Sequence, residues 1–140
     1  MCEKNICVLF LDDYLSGGIT AIDLFRVLPF GDGILQVELS GALLKEVLNY
    51  GESQKGEGAY LQRYGMTKDA SDRWNYQGTP IVDHQKYWIA ASEYLLRGFD
   101  IPFLTPDHPE VYQVLRPNAE DLSADIRKSI IHYLNNSQND

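Results

Sequence analysis

The chain has 140 residues, 44% of them hydrophobic and 11% aromatic, enough to bury a core in one domain without disulfides or a structural metal. Twenty acidic residues against twelve basic ones leave a formal charge of -8, which argues against nucleic acid polymers and anionic membranes as partners, since both require a basic surface. Cys2 and Cys7 fit neither a redox CxxC nor a zinc knuckle, no apolar run approaches the ~20 residues of a membrane helix, and the N-terminus lacks the three-part layout of a signal peptide.

In chain order, residues 5–11 form a continuous apolar run suited to a buried strand, with a turn over 12–18. Thr20 is placed to cap a helix in which Ile22, Phe25, Val27 and Leu28 recur at helical spacing. Pro29 ends that helix, because a proline pushes the residue before it out of the α region, and Phe30 stands at the corner. After the turn at Gly31-Asp32-Gly33, Leu35, Val37 and Leu39 alternate with Gln36 and Glu38, the period of a half-buried strand. Ser40 caps a second helix with Leu43, Leu44, Val47 and Leu48 on one face and Lys45, Glu46 and Asn49 towards water, and Gly51 is its expected stop.

Residues 51–58 read as a polar loop. Gly51 and Gly56 bracket four residues as in a phosphate loop, yet Glu57-Gly58 stand where Lys-Ser/Thr is required, so that reading is rejected. Residues 59–64 are a candidate strand, 66–73 a solvated loop and Trp74 to Tyr76 a short strand, with Gly78-Thr79-Pro80 as a turn. Tyr87, Ile89 and Ala91 alternate with Trp88, Ala90 and Ser92, apolar on both sides, which predicts a central strand covered on both faces. A short helix over 93–97 is expected to stop at Gly98. A last strand over 111–116 precedes an amphipathic helix over 121–134, with Leu122, Ile126, Ile130 and Leu134 four residues apart. The expected organisation is one domain over residues 1–135 and a frayed polar tail over 136–140.

Two blocks carry a family resemblance. Gly18-Ile19-Thr20, a short helix, Leu28-Pro29-Phe30-Gly31 and a strand running into Leu39-Ser40-Gly41 form the first. Tyr76-Gln77-Gly78-Thr79-Pro80-Ile81, then Tyr87-Trp88-Ile89-Ala90-Ala91-Ser92-Glu93-Tyr94-Leu95 and Gly98, form the second. In order and rough spacing the chain resembles the C-terminal domain of the 5'-nucleotidase and UDP-sugar hydrolase family, and Asp125-Ile126-Arg127 resembles the start of that family's closing helix. The resemblance implies an α+β fold with a mixed β-sheet and flanking helices. It also implies recognition of a nucleotide or nucleoside on behalf of a phosphohydrolase, and family members are typically exported.

The same resemblance names site residues. Phe30 and Phe103 correspond to the two rings that sandwich the base, with Gly98 and Asp100 in the loop that carries the second ring and Phe99 as the rival for that ring. Asn5 falls where the family places an Asn that helps hold the nucleotide at an interdomain cleft. The small residues and the Arg that follow it in the family are replaced here by apolar residues such as Phe10, which removes a charged fork for phosphate or ribose oxygens. The inner glycines of the ring loop are replaced by Phe99 and Ile101, which removes backbone freedom.

Catalysis is expected to lie elsewhere. The family's hydrolysis resembles two-metal phosphoesterases, whose Asp, His and Asn ligands belong to an N-terminal metallophosphatase domain. No Asp-x-His or Gly-Asn-His motif occurs in this sequence. No cofactor is therefore assigned to this chain, and two divalent metals are expected in that partner domain. There is likewise no Gly-x-Ser-x-Gly elbow. Two other readings stay open: an interaction or structural domain that kept the fold and closed the pocket, and an independent enzyme with a new site at Asp83-His84 or Asp107-His108.

Overall fold

A computed structural model describes residues 20–29, 31–57 and 60–137. Helix α1 (Ala21–Val27) starts at the predicted cap, where Thr20 and Asp23 form a reciprocal capping box. The Asp23 carboxylate accepts from the Thr20 backbone N–H at 2.9 Å, and the Thr20 hydroxyl oxygen accepts from the Asp23 N–H at 3.4 Å. Such a cap contributes about 1 kcal/mol, enough to fix the start of a helix only two turns long.

Strand β1 (Ile34–Ser40) and helix α2 (Gly41–Ser53) follow directly on one another. Ser40 closes the strand and caps the helix, its hydroxyl accepting from the Leu43 N–H at 3.0 Å. Leu43, Leu44, Val47 and Leu48 are all buried against the sheet. At about 1.5–3 kcal/mol for each such side chain, this stripe is a main source of the fold's stability.

Two antiparallel sheets follow. The small one orders β2 (Met66–Lys68), β3 (Trp74–Tyr76) and β4 (Thr79–Pro80). Its hairpin turn uses Gln77 at φ +49° and Gly78 at φ +79°, the two positive φ values of a type I′ connection. The larger sheet orders β5 (Lys86–Ser92), β1 and β6 (Val111–Leu115). Every pairing among the described residues is antiparallel, and with the flanking helices the chain has the α+β class expected of it. A 3₁₀ helix (Glu93–Arg97) leaves β5, a second (Leu122–Ala124) follows β6, and α3 (Ile126–Ser137) ends the described chain. Among the described residues, no helix is long and apolar enough to cross a membrane.

Several sequence expectations are corrected. Gly51 does not stop α2, which runs on to Ser53; a Cβ at position 51 would lie 2.4 Å from the Leu61 Cβ, so the glycine permits close packing. Residues 60–64 form no strand, but Leu61 is buried in the core. Residues 66–68, expected to be loop, form β2, because Met66 is buried and the segment pairs with β3. Among the described residues, β1 is the central strand and β5 has β1 as its one paired neighbour, while Ile89, Ala90 and Ala91 are buried as expected. The last helix begins at Ile126, not at 121; Leu122 lies in the preceding 3₁₀ turn and is 47% exposed, so the buried stripe starts with Ile126. α3 runs to Ser137, two residues into the stretch expected to be tail. The strand expected over residues 5–11 lies outside the described residues.

Candidate functional site

The Glu93–Arg97 3₁₀ helix and the loop after it are built by two local devices. Ser92 caps the helix, accepting from the Leu95 N–H at 3.4 Å. Gly98 ends it in the left-handed region at φ +71°, where a Cβ would lie 3.1 Å from the Thr105 methyl and 3.2 Å from the Pro102 carbonyl. A side chain at this position is strained by the backbone and crowded by its neighbours. The reversal at Gly98 returns Phe99 beside Tyr94, with ring centroids 5.8 Å apart and planes tilted by 38°. Phe99 is 68% exposed. Half-buried Asp100 accepts a long hydrogen bond of 3.5 Å from the Tyr94 hydroxyl.

The other rings and loop residues sit differently. Phe103 is half-buried against the core, edge-on to Tyr50 with centroids 5.6 Å apart. Ile101 is fully buried. Of the residues that the resemblance singled out, Gly98, Asp100 and Phe103 therefore share one loop, with Phe99 as its exposed ring. Phe30 and Asn5 lie outside the described residues.

The residues that follow Phe30 in the chain are tied to the 3₁₀ helix that leads into this loop. The Glu93 N–H donates to the Gly33 carbonyl at 2.9 Å, and Arg97 lies 3.9 Å from the Asp32 carboxylate. The turn is also tied to α3, where the Ile126 N–H donates to the Asp32 carbonyl at 2.9 Å. Beside that bond Arg127 and Asp125 make a two-pronged ion pair, with Nε to Oδ1 at 2.9 Å and Nη2 to Oδ2 at 2.6 Å. The Arg127 guanidinium holds the Asp125 carboxyl below the ordinary carboxylate pKa, against a smaller opposing effect of burial. Reciprocally, the carboxylate raises the Arg127 pKa.

The two Asp-His pairs do not build a centre. Asp83 is engaged by Lys45, and its carbonyl accepts from the Ala42 N–H at 3.0 Å. His84 is exposed, whereas His108 accepts from the Glu110 N–H at 3.2 Å through Nδ1. Among the described residues, no three His, Cys, Asp or Glu side chains gather where they would hold one metal ion. Sequence reasoning missed Tyr94 as a partner of Phe99. The signal available to it was the glycine four residues after an aromatic cap-proximal position, which is legible only once the left-handed reversal at Gly98 is known.

Comparison with known proteins agrees with this architecture. The sequence profile described as "5'-nucleotidase, C-terminal domain" matches residues 6–105. An NAD 5'-nucleotidase of Haemophilus influenzae is 25% identical over 108 residues, which is 63% of this chain and 18% of that protein. The crystal structure of a 5'-nucleotidase precursor from Thermus thermophilus superposes with a TM-score of 0.66 at 24% identity, over 83% of this chain and 24% of the other. A Staphylococcus aureus structure, solved under the name 5'-nucleotidase with α-ketoglutarate, gives a TM-score of 0.70 at 17% identity, over 94% of this chain and 30% of the other. At these identities the structural likeness shows the fold, and the chain spans less than a third of each relative.

Proposed function

The chain belongs to the 5'-nucleotidase C-terminal domain family, and we propose that it recognises the nucleoside part of a nucleotide for a phosphohydrolase of that family. One observation carries the reading: an exposed aromatic ring, Phe99, is held beside Tyr94 and Asp100 on the loop that leaves a 3₁₀ helix tied through Glu93 and Arg97 to Gly33 and Asp32, which follow Phe30 in the chain. A base stacks on such a ring for about 1–3 kcal/mol whatever its identity, because every base has a π-face. Phe99 and Phe30 are assigned as the two faces of the base site, and Phe103 as the ring that supports the loop from the core side. Asp100 is acceptor-only when ionised, suited to a base amino group or a ribose hydroxyl. Gly98 sets the loop's path, and Asn5 keeps the assignment that the resemblance implies.

Hydrolysis itself is assigned to an N-terminal metallophosphatase domain. Two divalent ions there would generate the nucleophilic hydroxide and stabilise charge on the phosphoryl oxygens. This chain's contribution is orientation. Holding the nucleoside fixes where its phosphate lies relative to those ions, so that a bimolecular encounter is replaced by a positioned one.

A second reading rests on a separate observation. Ile101 is fully buried where the family has a glycine, and Phe103 packs on Tyr50, as in a domain whose pocket has closed and whose role is interaction. Equilibrium titration of the full chain with adenosine, AMP, UDP-glucose and inorganic phosphate, with Phe30→Ala alongside, separates the two. Base recognition predicts saturable nucleoside binding that Phe30→Ala removes and that phosphate alone does not reproduce. A folded chain that binds no nucleoside up to millimolar concentration contradicts it and leaves the interaction domain.

A further inference from the structure

The Asp125-Ile126-Arg127 motif has no part in the assignments above, yet its arginine lies against the turn that carries Phe30. The guanidinium is fixed on three sides. Asp125 grips it with two parallel hydrogen bonds of 2.9 and 2.6 Å, which also sets its plane. Phe25 of α1 lies under it, with the ring centroid 4.3 Å from the guanidinium carbon. Nη1 donates at 3.5 Å to the carbonyl of Pro29, the residue before Phe30. The residue after Phe30 meets the same group, because a Cβ built on Gly31 would lie 2.0 Å from Nη2 and 2.8 Å from the Asp125 carboxylate. Gly31 is exposed, so a side chain there would be unremarkable but for Arg127 and the Asp125 carboxylate it holds.

We infer that Arg127 is a positioning residue, a latch that fixes the backbone on both sides of Phe30 against α3, and that Gly31 is glycine so that the guanidinium can reach it. Its consequence for nucleoside affinity rests on the base-recognition reading; the latch itself does not. A lysine cannot replace it, since an ammonium offers neither the planar two-pronged grip on Asp125 nor a flat face to Phe25.

The test uses the full chain, labelled with ¹⁵N, as wild type, Arg127→Ala, Arg127→Lys, Gly31→Ala and the Gly31→Ala/Arg127→Ala pair. Order parameters of the Gly31 and Asp32 amides are expected near the rigid value of about 0.85 in the wild type and below about 0.6 in each single variant, with β1 and β5 amides unchanged. Adding Gly31→Ala to Arg127→Ala is expected to change nothing further, because the guanidinium has gone and the Asp125 side chain, no longer gripped by it, is free to turn away from the Cβ. A merely structural arginine would loosen strands and turn together. Adenosine affinity falls about tenfold in the single variants. Unchanged order parameters at Gly31 and Asp32 in Arg127→Lys and Gly31→Ala overturn the latch, as do effects that add in the double variant. A loosened turn in variants of a wild type that binds no adenosine upholds the latch and overturns base recognition.

Discussion

Replacing Phe99 and Phe103 separately by alanine distinguishes the ring that meets a ligand from the ring that supports the loop. Phe99 is 68% exposed, so truncation removes about a third of the roughly 3 kcal/mol that a fully buried phenylalanine contributes, or about 1 kcal/mol. At 2–4 °C per kcal/mol for a domain of this size, its melting temperature should fall by only about 2–4 °C. Phe103 is half-buried and packs edge-on against Tyr50, so its loss costs roughly 2–3 kcal/mol and about 5–10 °C. Nucleoside affinity reverses the order. Phe99→Ala forfeits a stacking face of about 1–3 kcal/mol, a loss of roughly 5- to 150-fold, while Phe103→Ala, measured well below its melting temperature, stays within about threefold. Thermal melts and titration with adenosine on the same preparations provide both numbers. Strong loss of binding in Phe103→Ala with Phe99→Ala near wild type would refute the assignment and give the ring role to Phe103.

Other consequences follow from the packing and the charges. Gly51→Ala sets a helix-propensity gain of up to about 1 kcal/mol against overpacking of about 1–3 kcal/mol from a Cβ 2.4 Å from Leu61; urea denaturation should show net destabilisation, and a more stable variant would mean that Leu61 yields freely. Ser40→Ala removes a buried cap at the junction of β1 and α2 and should cost about 1–2 kcal/mol by the same assay. The Asp125 carboxyl has a folded-state pKa below its unfolded value, so its contribution is fully present above about pH 4 and is lost as pH falls through the folded pKa. Wild type should therefore lose urea stability more steeply than Asp125→Asn below pH 4, and parallel curves would contradict this.

The order from Thr20 to Ser53 was legible because each boundary has a local cause: a capping threonine, a proline, a period-two run, then a capping serine before a helical stripe. Strand β2 was hidden because Met66-Thr67-Lys68 has no periodicity of its own and is held in place by pairing with β3. The role of Gly51 was misread for a related reason, since its neighbour Leu61 approaches from ten residues away and no local rule reports that contact. In the site, the composition of the loop over 98–103 was readable, but which of its rings faces water was not. That depends on Gly98 turning the chain back on Tyr94 and on Tyr50 offering Phe103 a place in the core, both tertiary facts.

Chemical-shift mapping of adenosine on the ¹⁵N-labelled full chain tests base recognition most directly. The account predicts saturable shifts confined to the turn around residues 29–33 and the segment from Tyr94 to Phe103, with β2 to β4 unmoved. Shifts centred elsewhere, such as the depression lined by Tyr60, Gln62, Arg63 and Met66, or no shifts at millimolar adenosine, would contradict it.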